Sequence, residues 1–138
     1  MPLTLHVTEG VIPAGSEKQA VKMMTDIFLK WHRLTGNNVM TPNITAMVTV
    51  VPKGGTFSGG KEVSGAWIEW KSPAFAFADR DIQIGCAKDC TDVIYDLSGG
   101  KQPRDNIYFN VTYAVDGTWN LDGTAMTNEE LGAAIANG

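Results

Sequence analysis

The residue with the most distinctive chemistry is Pro2, which directly follows Met1. Removal of Met1 would expose a secondary amine, and a free α-amino group titrates at about pH 8. In a dry, apolar pocket the charged form is disfavoured, so the pKa falls toward neutrality. A neutral amine on a strand can take a proton from a carbon next to a carbonyl and return it elsewhere. The alternative is that Pro2 has no function, because proline is tolerated as the first residue of a strand.

Two further candidates lie on one predicted strand, in the segment NIYFNVTYAV. Tyr108 and Asn110 are two residues apart, so they point to the same side of that strand. Facing a pocket, Asn110 can donate a hydrogen bond to a substrate carbonyl oxygen, and Tyr108 can supply a hydroxyl or an aromatic wall. The alternative is a core tyrosine and an asparagine that is satisfied by neighbouring backbone.

The first half of the chain contains the elements that must hold Pro2. PLTLHVTEG predicts a strand, since it is rich in apolar and β-branched residues and ends at a glycine. A helix is expected over residues 16–36, with Ser16 and Gln19 as a capping box and Gly36 as the left-handed residue at its end. NITAMVTVV predicts a second strand, and PKGGTFSGGKEVSG predicts a loop or short hairpin. An apolar stripe along the helix is typical of a core contact: Ala20, Met24, Ile27, Trp31 and Leu34.

The second half repeats this plan. GAWIEWK predicts a strand, Ser72 and Pro73 are expected to start a helix, and NIYFNVTYAV predicts the fourth long strand. A short final helix is expected with Thr127 and Glu130 as its capping box. The apolar stripe of the second long helix comprises Ile82, Cys86, Cys90, Val93 and Leu97.

This order of elements predicts an α+β fold. Two consecutive βαβ units would form a four-stranded mixed sheet with two helices on one face. Residues 1–138 would be a single domain, with pseudo-repeat halves of about 1–60 and 61–125 followed by the short C-terminal helix. The other face of the sheet would be uncovered within one subunit. The apolar content of AMVTVV and AWIEW predicts that this face is buried against other subunits.

Composition limits the function classes. The 138 residues, of which 43% are hydrophobic, suffice for one core. The net charge of −4 argues against a nucleic-acid partner. No signal peptide or membrane span is expected, which favours the cytoplasm. Cys86 and Cys90 lie four residues apart on a predicted helix, where a disulfide closes only a trivial loop. Without a second pair of ligands they are a weak zinc signal, so no metal is expected.

Three local features and the duplicated βαβ plan resemble the tautomerase superfamily. The first is the Met-Pro start, since members use an N-terminal proline that methionine removal exposes. The second is PKGGTFSGG, residues 52–60, which is similar to the proline-glycine-phenylalanine-diglycine loop of the cis-3-chloroacrylic acid dehalogenase group. The third is IYFNV followed by GTWN. It resembles the stretch of macrophage migration inhibitory factor that carries a tyrosine, an asparagine and a nearby tryptophan at its site.

The resemblance implies roles for four side chains and a homotrimeric assembly. Tyr108 and Asn110 match the tyrosine and asparagine of the migration-inhibitory-factor site. Trp119 matches the pocket tryptophan of that group, although it could equally anchor a subunit interface. Lys71 ends the third strand, where members often supply cations for a substrate carboxylate. The alternative for Lys71 is an ordinary solvated lysine.

The chain departs from the dehalogenase and decarboxylase pattern. Those relatives have an arginine pair where this chain reads KSPAFAF, and the water-activating glutamate of the dehalogenases falls near Leu121. His32 lies about one helical turn out of register with a functional histidine of that group. His32 and Arg33 are therefore interpreted as cations that complement the dipole of the first helix. The lysine that follows this helix in the migration-inhibitory-factor group has no counterpart in GNNVM.

We predict a cofactor-independent tautomerase in which Pro2 transfers a proton on a small keto or enol acid. Asn110 and Tyr108 would polarise the carbonyl, and Lys71 would hold a carboxylate. One alternative is a dehalogenase, hydratase or decarboxylase of the same superfamily that acts on small unsaturated or semialdehyde acids. Another is a non-enzymatic member that binds small ligands or serves assembly. A nucleotide site at GGTFSGG is not expected, because the segment lacks the GK[ST] ending of a phosphate loop.

Overall fold

The computed structural model describes all residues, Met1 to Gly138. Its centre is a four-stranded sheet. Strand β1 (Leu3–Thr8) is parallel to β2 (Ala46–Val51) and antiparallel to β5 (Ala66–Pro73), which is parallel to β6 (Ile107–Ala114). A helix connects the two strands of each parallel pair. The two predicted βαβ units and the mixed sheet are therefore confirmed.

Helix α1 (Glu17–Trp31) connects β1 to β2, and its start differs from the prediction. Ser16 has helical backbone angles, and its hydroxyl donates to the Pro13 carbonyl at 2.6 Å instead of accepting from the helix. The predicted capping box of Ser16 and Gln19 is therefore wrong, because a local turn already uses the serine hydroxyl.

The end of α1 is also earlier than predicted. The amide of Leu34 donates to the Leu29 carbonyl at 2.8 Å, which closes the helix with a Schellman-type bond. The residue in the left-handed conformation is Arg33, with φ of 57°. Gly36 also has a positive φ, of 81°, but it lies in the following turn. The left-handed backbone thus fixes the direction in which the chain carries Arg33 away from the helix.

Helix α3 (Arg80–Leu97) begins later than predicted. Its N-cap is Asp79, whose Oδ1 accepts from the amides of Asp81 at 2.7 Å and Ile82 at 3.4 Å. The predicted start at Ser72 and Pro73 is wrong, because both residues pair with β6 as the end of β5. A 3-10 turn over Ala74–Phe77 separates that strand from the helix.

The core lies between the sheet and the helix pair α1 and α3. Phe28 of α1 stacks on Trp70 of β5 with ring centroids 4.8 Å apart. The two helices approach closely at Gly85, where a Cβ atom would lie 2.0 Å from Cζ2 of Trp31. Most of the two predicted stripes is confirmed as core or packs against it. The buried side chains of this layer include Leu3, Leu5, Val7, Ala20, Met24, Phe28, Ile68, Trp70, Cys86, Cys90 and Val93.

The other side of the sheet, here called the outer face, is uncovered and more polar than expected. Ile68 and Trp70 of AWIEW point to the helices, as do Val48 and Val50 of AMVTVV by the strand register. The expectation of a mainly apolar outer face is therefore wrong. Register and alternation place on it Pro2, Thr4, His6, Met47, Thr49, Trp67, Glu69, Lys71, Tyr108, Asn110 and Thr112.

The remaining elements are short. Helix α2 (Met40–Asn43) precedes β2, and the glycine-rich segment forms the predicted hairpin of β3 (Phe57–Ser58) and β4 (Lys61–Glu62). A second hairpin comprises β7 (Trp119–Leu121) and β8 (Thr124–Met126), and helix α4 (Asn128–Ala136) ends the chain. The capping box of Thr127 and Glu130 at the start of α4 is confirmed. None of the helices is long and apolar enough to cross a membrane.

Candidate active site

Pro2 lies at the start of β1, between two cavities of the chain. The backbone around it is held on both sides by the sheet. Lys71 N–H donates to the Pro2 carbonyl at 3.0 Å, and Leu3 N–H donates to the Thr45 carbonyl at 2.7 Å. The proline ring is therefore a fixed part of the sheet, which is the rigidity that a positioned base requires.

Met1 is buried, with only 3% of its surface exposed, and belongs to the hydrophobic core. Its α-amine donates a hydrogen bond to the carbonyl of Asn43. Burial lowers the pKa of this amine from 8.0 to about 5, because the charged form loses its hydration. The Met1 amine is therefore in an apolar environment at this end of β1.

The smaller cavity, about 350 Å³, lies on the ring side of Pro2. It brings together Pro2, Lys71 and Trp119, three of the predicted site residues. Trp119 lies on β7, and only 8% of the surface of this residue is exposed. Its indole is therefore one wall of the cavity. The other residues that line this cavity are Thr112, Tyr113, Ala114, Thr118 and Asn120.

The larger cavity, about 920 Å³, lies on the helix side of Pro2 and is lined by Met1. Its walls are the end of α1, the 3-10 turn after β5, the start of α3, and α4. The cations Lys30 and Arg33 and the acids Asp79 and Asp81 line it, with Trp31, Phe75 and Ile135 among the apolar residues. Loss of Met1 would enlarge this cavity up to the nitrogen of Pro2.

His32 also lines the larger cavity, but both of its ring nitrogens are engaged. Nδ1 lies 2.8 Å from the Phe28 carbonyl and Nε2 lies 2.6 Å from the Ala76 carbonyl. Each ring nitrogen therefore faces a backbone carbonyl oxygen. The ring also stacks on Phe28, with centroids 4.0 Å apart. His32 therefore ties α1 to the 3-10 turn and is not free to act as a base.

Arg33 is the functional candidate that the sequence analysis missed. Its place at the end of the first helix predicts only an interaction with the helix dipole, yet Arg33 lines the larger cavity together with Met1. The sequence did contain a signal for this position of Arg33, because a cation directly after a helix can project beyond the helix when the chain turns there. The turn at Arg33 needs a left-handed residue, and the sequence suggested Gly36 for that position.

Tyr108 and Asn110 line neither of the two cavities at Pro2. Asn110 pairs with Glu69 and Tyr108 with Trp67, both on the outer face and farther along the strands than Lys71. The Tyr108 ring stacks on Trp67 with centroids 5.2 Å apart. Hydrogen bonds with Ser58 and Asn106 lower the pKa of the Tyr108 hydroxyl. Within one chain, these two residues are therefore separated from Pro2.

The two cysteines are free and buried on the core side of α3. Burial, aided by the negative charge of Asp89, raises the pKa of Cys86 to about 12. Burial likewise raises the pKa of Cys90. No cluster of three or more His, Cys, Asp or Glu side chains is arranged to hold a metal ion.

The sequence matches no protein-family model and no curated protein. Solved structures do match it over nearly its whole length. Pt0534, solved after inactivation by 2-oxo-3-pentynoate, has a TM-score of 0.75 at 14% identity, covering 96% of this chain and 99% of that one. N1, a member of the cis-3-chloroacrylic acid dehalogenase family, has a TM-score of 0.70 at 12% identity, covering 96% and 90%. A symmetric trimer of wild-type fused 4-OT gives 0.76 at 9% identity, covering 96% and 99%.

These relatives share one architecture although their sequences are only 9% to 14% identical to this chain. All three belong to the tautomerase superfamily. Fold is retained at such identities because the alternation of apolar residues and the crossover rules constrain it more than individual side chains do. Since each match covers 96% of this chain, it takes in both βαβ units. This chain has the tautomerase-superfamily fold.

Proposed function

We propose that the chain is a tautomerase whose base is the Pro2 amine, exposed by removal of Met1. The observation that supports this most directly is the position of Met1, which is buried and lines the larger cavity. Without Met1, the Pro2 nitrogen would face that cavity. The low pKa of the Met1 amine, about 5, supports a neutral amine at this point of the fold. A neutral amine near pH 7 is the form that can accept a proton.

The reaction is proton transfer within a small keto or enol acid. The Pro2 nitrogen takes a proton from the carbon next to the carbonyl, and the electrons of that C–H bond form a carbon–carbon double bond. The carbonyl π electrons move to the oxygen, which becomes an enolate. The Pro2 ammonium then returns its proton to a different atom of the same intermediate, so the amine is regenerated and nothing is consumed.

Three cations are candidates for holding the substrate carboxylate: Lys30 and Arg33 on the helix side of Pro2 and Lys71 on the ring side. Arg33 lines the cavity that Met1 would vacate, whereas Lys71 lines the smaller cavity on the ring side. We assign the carboxylate to Arg33, because the reacting carbon must lie on the side where the amine is exposed. A guanidinium also suits a carboxylate better than an ammonium does, since it can donate two parallel hydrogen bonds. Lys71 and Trp119 then bound the opposite side of the site.

We also propose a homotrimer, in which the outer face of each sheet is covered by other copies. The uncovered face and the trimeric state of fused 4-OT support it. A substrate role for Tyr108 and Asn110 depends on this assembly, because a second copy would have to bring its outer face toward Pro2. Light scattering after size exclusion would give three times the chain mass of 14.9 kDa. A monomer would exclude a role for both residues.

The hydrolytic alternative lacks a carboxylate to activate water at the predicted place. Leu121, near which the glutamate of the dehalogenases would fall, is an apolar residue of β7 with 5% of its surface exposed. The arginine pair of those relatives is likewise replaced by KSPAFAF. Proton transfer needs neither group, which is why we prefer it.

Ketonisation of phenylpyruvate enol, which is the same proton transfer in the reverse direction, tests the proposed function. We expect Pro2→Ala to lower kcat/KM by about 100-fold or more, the usual contribution of a positioned base. A preparation that retains Met1, made with methionine aminopeptidase inhibited, should be inactive because its Pro2 nitrogen is an amide. The N-terminal mass identifies each form. Turnover that is unchanged in Pro2→Ala would refute the mechanism.

A further inference from the structure

Ser72 carries a buried hydroxyl without a hydrogen-bond partner. The residue has 0% of its surface exposed, and its Oγ is one of two buried side-chain polar atoms that lack a partner; the other is Nε1 of Trp70. Leaving a buried donor unpaired is destabilising, so such groups are rare in folded proteins. The hydroxyl of Ser72 therefore needs a physical explanation.

The register of the sheet places Ser72 opposite Met1. Leu3 pairs with Trp70, and Lys71 N–H donates to the Pro2 carbonyl at 3.0 Å, which continues the antiparallel ladder by one residue. The next pair is therefore Met1 and Ser72. It falls at a position without mutual backbone hydrogen bonds, where opposite side chains come closest.

Both members of this pair lie on the helix side of the sheet. Ser72 alternates with the exposed Lys71 and shares its side with Trp70, and Met1 shares its side with Leu3. Both residues are buried there. Loss of Met1 would therefore place the Ser72 hydroxyl on the wall of the vacated space, beside the Pro2 nitrogen.

We propose that Ser72 is a further catalytic residue, whose hydroxyl donates a hydrogen bond to the substrate oxygen that becomes the enolate. The inference rests on the proposed function, since it needs Met1 removed and a substrate at Pro2. It supplies a donor that Asn110 does not supply within one chain. The hydroxyl keeps its own proton; the only proton transferred is the one that Pro2 takes from carbon and returns.

Labelling by 2-oxo-3-pentynoate tests this, because the probe combines a carbonyl with a conjugated alkyne. The Pro2 nitrogen adds to the far alkyne carbon, one alkyne π bond breaks, and its electrons reach the carbonyl oxygen. Solvent then protonates the adjacent carbon, while the amine loses its proton. The adduct has the mass of chain plus probe. A donor at the oxygen accelerates this addition just as it accelerates enolisation.

We expect Ser72→Ala, with Met1 removed, to lower both the labelling rate and kcat on the order of 100-fold, as loss of one oxyanion donor does. The control is Ser64→Ala, an exposed serine next to the start of β5, which should label like the parent. Thermal unfolding should show that neither change lowers stability. Equal labelling and equal kcat in parent and Ser72→Ala would overturn the role of Ser72 while leaving Pro2 as the base.

Failure of the proposed function gives a different result, since the parent without Met1 would then neither label nor turn over. In that case, thermal unfolding still tests the position of Ser72. With Met1 retained, Ser72→Ala should raise the melting temperature, because it removes an unpaired buried hydroxyl. With Met1 removed, the hydroxyl faces solvent and the gain should vanish. An equal gain in both forms would overturn the placement of Ser72 at the vacated space.

Discussion

The two faces of the sheet differ in a way that explains where chemistry is possible. On the helix side, Leu3, Leu5 and Ile68 have at most 1% of their surface exposed and pack in an apolar layer. On the outer face, Thr4, His6 and Trp67 are half-buried, and Glu69 and Lys71 are exposed. Pro2 stands where the two environments meet, because the apolar layer ends at Met1.

This difference explains why a terminal amine at the start of β1 has an unusual pKa. A terminal amine on the outer face would be hydrated and charged at neutral pH. On the helix side the same group loses its water, and its neutral form is favoured. In the proposed mechanism the substrate therefore reaches Pro2 from the helix side, through the cavity that contains Arg33.

The largest expected contrast between the faces is in stability, between adjacent residues of β5. Ile68→Ala should lower the free energy of unfolding by about 2–5 kcal/mol, because it leaves a cavity in the core. Glu69→Ala should change it by less than about 0.5 kcal/mol, as exposed substitutions do. Urea unfolding of both variants measures this. These values refer to dissociated chains at low protein concentration; where the proposed homotrimer covers the outer face, the loss for Glu69→Ala should grow with protein concentration. A loss for Glu69→Ala as large as that for Ile68→Ala in dissociated chains would contradict the contrast.

The pH dependence of stability is a second test of the difference between the helix side and the outer face. The Met1 amine has a pKa of about 5 in the folded chain against 8.0 for its ordinary value, so between these values the unfolded chain binds more protons. With Met1 retained, stability should be complete above about pH 8 and fall as the pH is lowered to about 5, by up to about 4 kcal/mol. Urea unfolding at pH 5 and pH 8 measures the change.

The control for this titration is the chain without Met1, whose Pro2 amine faces a cavity instead of the Asn43 carbonyl. Its stability should depend less on pH over the same range. With Met1 retained, a stability that does not change between pH 5 and pH 8 would show that the amine of Met1 is not buried in solution.

The smallest expected effect is a change in KM, which tests on which side of Pro2 the substrate carboxylate binds. Arg33→Ala should raise KM for phenylpyruvate enol about 10-fold or more, since a charged hydrogen bond contributes about 1.5–3 kcal/mol. Lys71→Ala should raise it by less than about 3-fold, within the range of a weak solvated contact. The reverse order would move the carboxylate to the ring side of Pro2 and contradict entry from the helix side.

Much of the fold follows from patterns within single segments. The alternation in PLTLHVTEG and GAWIEWK and the helical stripes predict strands and helices wherever apolar side chains must be buried on one side. The ends of the helices were less predictable, because several residues compete for each cap. Asp79 caps α3 although Ser72 and Pro73 carry the same kind of signal, and pairing with β6 decides between them.

Residue type and local period are enough to predict the βαβ plan, the proline at the start of β1 and the lysine at the end of the third strand. Which residues lie next to one another at the site depends on the tertiary structure. Register across strands brings Ser72 opposite Met1, and a left-handed turn brings Arg33 to the same cavity. Register likewise separates Asn110 from Pro2 within the chain. Such pairings join residues far apart in sequence, and they are set by packing of the whole sheet, which no single segment encodes.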